Sequence, residues 1–162
     1  MYREMRRKKQ QLSEELVQKV LAENTNGILA VNGEEGYPYS IPLNYVYLNG
    51  NLYFHSAKSG HKVDIINKNS KVSFTVVDED TIVSEKFTSF YRSVIAFGKA
   101  SIIESQEERS EVFQAFIEKY SKHESIEAKE KELHTRGPHA LVIKVSIEHI
   151  TGKEAIEYAR ER

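Results

Sequence analysis

Apolar positions recur along the chain in two rhythms, and the changes of rhythm divide it into elements. Leu12, Leu16, Val17, Val20 and Leu21 fall at helical spacing, Ser13 stands where an N-cap belongs, and Glu14 and Glu15 fill the first turn. The spacing predicts a helix closing between Asn24 and Gly27, with Leu12 placed to staple onto Val17. Ile28 to Val31 is an apolar run, Asn32-Gly33-Glu34-Glu35-Gly36 a turn, and Tyr37 to Tyr47 reads as a long strand broken or bent at Pro38 and Pro42. Asn49-Gly50, flanked by Tyr45, Tyr47, Leu52 and Phe54, signals a tight hairpin. A short helix follows near 59–68, and then Val72, Phe74 and Val76 alternate with Ser73 and Thr75 as a strand.

The second half repeats the mixture. A polar loop is expected over 78–86, and Ser89 to Glu104 is rich in strand formers but interrupted by Gly98, where a bulge or close backbone approach is expected. Val112, Phe113, Phe116, Ile117 and Tyr120 mark a helix over 106–120 that opens on Ser105, Glu107 and Glu108. The charged segment 121–136 reads either as a loosely packed helix or as a flap, and Gly137-Pro138 ends it. His139 to Ile150 alternates through Leu141, Ile143, Val145 and Ile147, and 152–162 is a tail or a last short helix. Six or so strands joined by short turns, with helices at the start, middle and end, imply a mostly β, antiparallel barrel. A parallel doubly wound sheet is disfavoured, because a two-residue hairpin is too short for a crossover and no GxGxxG turn is present.

Composition narrows the chemistry. A chain of 162 residues is the size of one domain, read here as 1–162. With no cysteine, disulfides, thiol nucleophiles and Cys-ligated metals are excluded. No apolar run has membrane-spanning length and the start lacks a signal-peptide core, so a soluble, cytoplasmic protein is expected. A formal charge of -1 makes no overall case for nucleic acid, and the basic cluster Arg3, Arg6, Arg7, Lys8 and Lys9 reads as a solvated lead-in. The histidines show no metal-ligand spacing and no serine sits in a GxSxG elbow.

What remains is local. His55-Ser56-Ala57-Lys58-Ser59-Gly60-His61-Lys62 concentrates hydroxyls, imidazoles and ammonium groups where a strand gives way to a helix. Unpaired N–H groups at a helix start, together with Lys62, suit a phosphate. The plainer reading is a polar loop in which Ser59 caps the helix. Pro42, Leu43, Asn44 and Tyr45 are a second candidate: proline frees nearby backbone groups to meet a planar ligand, and Asn44 can address a ring edge. An edge-strand kink with a surface asparagine is the alternative.

Taken in order, Pro42-Leu43-Asn44-Tyr45-Val46-Tyr47, Tyr53-Phe54-His55-Ser56-Ala57, Gly60-His61-Lys62, Val72 to Val76, Ser93 to Ala100 and Ile150-Thr151-Gly152-Lys153 resemble the pyridoxamine 5′-phosphate oxidase-like flavoproteins. The likeness is closest to their 5-nitroimidazole-resistance (Nim) branch and extends from Arg6 to Lys153. It implies a six-stranded split β-barrel with flanking helices, a homodimer that binds FMN at the subunit interface, and an oxidoreductase that can act on nitroaromatic compounds. The alternative is a non-catalytic FMN- or haem-binding module. On this resemblance Pro42, Leu43, Asn44 and Tyr45 line the isoalloxazine, His55, Ser56 and Ala57 continue toward the ribityl chain, and His61 and Lys62 hold the phosphate. Tyr91, Arg92 and Ser93 reach the flavin from the partner subunit, with Thr151, Gly152 and Lys153 as further contacts. His55 is the candidate proton donor, because imidazole titrates near neutrality. Departing from the true oxidases, the chain ends Glu154 to Arg162 without their arginine-containing substrate motif and has no tryptophan, which argues against vitamin B6 oxidation.

Overall fold

The computed structural model describes residues 1–162. Helix α1 (Glu14–Glu23) leads into strand β1 (Asn26–Asn32), and Ser13 caps it by accepting the Leu16 N–H at 3.3 Å. Then come β2 (Pro38–Asn44), β3 (Val46–Leu48), β4 (Asn51–Ser56), α2 (His61–Lys68), β5 (Lys71–Val83) and β6 (Thr88–Ile102). Helices α3 (Gln106–Tyr120) and α4 (Ile126–Thr135), strand β7 (Leu141–Glu154) and a short helix α5 (Ile156–Arg160) complete the chain. All strand pairs are antiparallel, in the order β2-β1-β5-β6-β7-β4-β3. The two edges of this sheet, β2 and β3, are consecutive in sequence and separated by Tyr45 alone. A strip whose edges are one residue apart must curl until they nearly meet, which makes a split barrel with flanking helices.

Seven strands stand where the sequence suggested six, because Tyr37 to Tyr47 is two strands divided at Tyr45 and not at its prolines. Pro42 is accommodated within β2, opposite Ile28, because β2 is an edge strand. A second difference concerns 78–86. Instead of a polar loop, β5 continues to Val83 and pairs with β6 back to Thr88, past a register shift between Val77 and Glu79. Asp78, Glu79 and Asp80 break the alternation there because this hairpin arm is largely solvated and no face of it needs to be apolar. The Asn49-Gly50 hairpin forms as its sequence dictates, with φ of 51° and 76° at the two turn residues.

Inward-facing Leu29, Phe74, Val94, Ala96, Val145 and Phe54 pack with Val17, Val20 and Leu21 of α1 and Ile65 and Ile66 of α2 in one core. A smaller core lies outside the barrel, where Val112 and Phe116 of α3 cover Val46, Tyr53 and Val142. Glu108 ties α3 down further, its carboxylate accepting from the Tyr53 hydroxyl and the Lys144 ammonium, each at 2.9 Å. The outer face of β2, β1, β5, β6 and the far half of β7 has no helix over it. Helix α4 buries none of its residues, and an arginine of α3, Arg109, holds the turn that follows it by donating to the carbonyls of Gly137 and Ala140 at 2.9 and 2.8 Å.

Gly98 sits at the bulge expected of it, where the β6–β7 register shifts between Phe97 and Gly98. A Cβ at this position would come within 2.2 Å of the Ser146 carbonyl oxygen, a backbone atom that cannot swing aside. Gly98→Ala is therefore expected to lower the stability of the fold by about 1–3 kcal/mol, as overpacking does. The urea midpoint reads this, and an unshifted midpoint would show that β7 yields freely at the bulge.

Candidate functional site

The seam of the barrel builds one wall of the site. Tyr45 belongs to neither β2 nor β3, so its backbone groups have no ladder partner, yet it is fully buried. Helix α3 supplies what the sheet does not. The Tyr120 phenol oxygen accepts from the Tyr45 N–H at 3.0 Å and lies 2.6 Å from the carbonyls of both Tyr45 and Thr25, which share its proton. Lys119 adds an ammonium donor to the Tyr45 carbonyl at 3.2 Å and stands 4.1 Å over the Tyr45 ring. Burial without a carboxylate partner brings the Lys119 pKa down to about 8. The Tyr45 hydroxyl points the other way, donating to the Leu21 carbonyl at 2.6 Å inside the core.

Between this seam and the α3–α4 segment lies a cavity of about 750 Å³. Asn44, His55, Ser56 and Ala57 form its strand side. Phe113, Phe116, Ile117 and Tyr120 form an aromatic and aliphatic side, and Glu132, Leu133, Arg136 and His139 a mixed roof. Four residues that the sequence singled out are thus brought together. The helical walls were not foreseen, because Phe113, Phe116 and Tyr120 carry the same periodicity as any core-facing helix. The Asn44 amide donates to the Thr25 carbonyl at 2.9 Å. The His55 ring meets Phe116 edge-on at 4.7 Å. Burial lowers the His55 pKa, the Glu132 carboxylate opposes that shift, and the Lys62 ammonium adds to it.

The start of α2 lies beyond His55. No side chain caps it, so the plainer reading, with Ser59 as N-cap, is not what forms. Gly60 occupies the cap position with φ 142°, a conformation open to glycine, and its carbonyl accepts from Val63 and Asp64. The N–H groups of His61 and Lys62 have no partner in the fold. Lys62 is half-buried and close enough to act on His55, while the His61 ring is exposed and packs edge-on against Tyr39 at 4.9 Å. Neither side chain lines the cavity itself. Free N–H donors, the positive end of a helix and a half-buried ammonium are the groups that suit an anion, and they stand next to His55 at the edge of the cavity. Pro42 and Leu43, next to Asn44 on β2, do not line the cavity either: Pro42 is exposed and Leu43 packs against the core.

The remaining candidates are elsewhere. His55 pairs opposite Val142, whereas Ser93 pairs opposite Lys153, eleven residues further along β7. At about 3.3 Å per residue that is on the order of 35 Å of strand between His55 and Ser93. The Tyr91 hydroxyl accepts from Gln10 at 3.1 Å, and Arg92 is held by Asp78 at 3.2 Å and by the buried Glu154 carboxylate at 3.6 Å, which Arg162 also contacts. Thr151 and Lys153 are half-buried on the outer face. Gly152 has a structural reason to be glycine, since a Cβ there would lie 2.5 Å from Leu12 Cδ1.

Two outcomes follow from this geometry. Tyr120→Phe removes the acceptor of the buried Tyr45 N–H and is expected to cost about 1–3 kcal/mol in urea unfolding; a neutral effect would mean that water replaces the phenol. For His55, the proton is expected to bind the unfolded chain first as the pH falls below 6.5, so stability declines from there toward the lower folded pKa and is unaffected above it. An NMR titration that returned a His55 pKa of 6.5 or higher would contradict the desolvated mouth.

The fold recurs among solved structures. A protein from Bacteroides thetaiotaomicron, named as a candidate 5-nitroimidazole antibiotic resistance protein, superposes with TM-score 0.74 at 23% identity over 89% of this chain and 86% of its own. A conserved hypothetical protein from Mycobacterium tuberculosis gives 0.80 at 20% identity over 93% and 90%. An FAD-binding protein from Mesorhizobium loti gives 0.66 at 24% identity over 90% and 96%. No curated protein sequence matches the chain significantly. The sequence model described as pyridoxamine 5′-phosphate oxidase matches residues 13–154, from the cap of α1 to the end of β7, and the chain belongs to that family.

Proposed function

We propose that this chain is an FMN-binding flavoprotein, working as a homodimer and as an oxidoreductase on a small acceptor such as a nitroaromatic compound. The observation that carries the reading is the juxtaposition of an uncapped helix start bearing Lys62 with a cavity walled on one side by Phe113, Phe116 and Tyr120, His55 standing between the two. In this reading the N–H groups of His61 and Lys62 and the Lys62 ammonium neutralise the terminal phosphate. Ser56 and Ala57 flank the chain that follows, and Asn44 presents a polar edge to the ring. When bound, the flavin supplies hydride and single-electron transfer. His55 lines the cavity, and its lowered pKa makes the protonated imidazole a stronger acid, the direction a proton donor needs. The α3 wall, with Phe113, Phe116 and Tyr120, keeps water from one side.

Family membership and the flavin-binding relative from Mesorhizobium loti support the cofactor, and the Bacteroides relative supports the choice of acceptor. In this reading a second chain brings Ser93, Thr151 and Lys153, which lie outside the cavity of their own chain, to the ligand of its neighbour. The outer sheet face offers the surface for it: Ile28, Val77, Ile95 and Phe97 are 41%, 59%, 38% and 37% exposed on it.

The test is the pigment. The purified protein is expected to be yellow and to release FMN, identified by mass, on denaturation. Lys62→Ala is expected to weaken FMN binding about tenfold, close to 1.4 kcal/mol. Colourless protein that leaves the fluorescence of added FMN unchanged would overturn the reading. Anaerobic reduction followed by a nitroaromatic acceptor separates an oxidoreductase, which reoxidises promptly, from a flavin store, which does not.

A further inference from the structure

The uncovered face of the sheet is not entirely bare. Tyr2 lies on it, its ring stacked on His149 at 4.4 Å with 8° between planes and 5.4 Å from Phe97, and its hydroxyl donates to Glu148 at 3.2 Å. Apart from the half-buried Met5, little else holds the arm that carries it. The backbone N–H groups of residues 1–6 make no hydrogen bond, and the first anchored residue is Gln10, whose side chain reaches the Glu154 carbonyl at 2.8 Å. Phe97 and His149 are register partners, two residues along their strands from Ile95 and Thr151 and so on the same face. The arm therefore covers the flank of a row that runs Pro42, Ile28, Thr75, Ile95, Thr151 straight across five strands.

That row suits a second copy of the same chain. It carries no charge, as the centre of a protein interface requires. Thr75 is its midpoint, so a twofold axis along β5 lays the Pro42 end of one chain against the Thr151 end of the other, and each margin receives what it lacks. Two sheets packed face to face approach to about 10 Å, with their side chains interdigitated and no room for a peptide between them. Tyr2 in its own notch and a partner sheet over Phe97 exclude one another.

We propose that residues 1–7 are a detachable plug: Tyr2 seals the Phe97–His149 notch in the single chain and leaves it when a second copy docks. This rests on the homodimer of the preceding section and adds a competition that the dimer alone does not require. A single stacked aromatic pair is worth roughly two- to tenfold, and a symmetric dimer must free two of them, so assembly shifts by roughly four- to hundredfold, enough to tune it without preventing it.

Sedimentation equilibrium of the full chain tests this with two substitutions. Tyr2→Ala is expected to tighten the dimer roughly four- to hundredfold, one two- to tenfold factor for each of its two arms, and Phe97→Asp to weaken it more than tenfold. An unchanged or weaker dimer with Tyr2→Ala overturns the plug, whereas an unchanged dimer with Phe97→Asp overturns the docking face on which it rests. Because the chain has no tryptophan, Tyr2→Trp installs its sole indole, which is excited selectively to the red of the tyrosine band. Its fluorescence is expected to move to the red as concentration rises and the indole is released to water; a blue shift would place the arm inside the interface and overturn the competition.

Discussion

Everything in this fold leans on how the Tyr45 backbone is satisfied. A sheet whose first and last strands follow one another in sequence needs a residue that pairs with neither, and a buried peptide unit without partners is costly. Helix α3 resolves this with Tyr120, which serves the N–H and carbonyl of Tyr45 and the Thr25 carbonyl, and with Lys119, which doubles the carbonyl contact. The same helix presents Phe113, Phe116 and Tyr120 to the cavity. Closing the barrel and shaping the site are therefore one act: the residue that completes the seam is also a wall.

Much of this was written in local chemistry. Ser13, Ser105 and the Asn49-Gly50 turn set their elements because caps and tight turns depend on a few adjacent residues, and Gly98 marked its bulge for the same reason. The break at Tyr45 was hidden because nothing in a tyrosine announces that it sits between two sheet edges; the pairing that isolates it comes from β1 on one side and β4 on the other. The charged stretch 78–83 concealed a strand, since an arm solvated on both sides has no apolar alternation to show.

The site divides along the same line. Asn44 and His55 to Ala57 were legible because they cluster in sequence where the strand side of the cavity forms. The α3 wall and the roof at Glu132, Arg136 and His139 are distant in sequence and meet the strands only through tertiary packing. Residues 91–93 and 151–153 lie together where β6 pairs with the far end of β7, away from the cavity, so the sequence cue that grouped them with His55 is not one that a single chain brings together.

Helix α4 roofs the cavity yet gives nothing to either hydrophobic cluster, and the backbone after it is fastened by Arg109. Its sequence is consequently under almost no obligation to the rest of the molecule. Among descendants of a common ancestor such a segment can drift, lengthen or change its charge while the closure at Tyr45 stays fixed. New preferences for small molecules can then arise there at little cost to the scaffold.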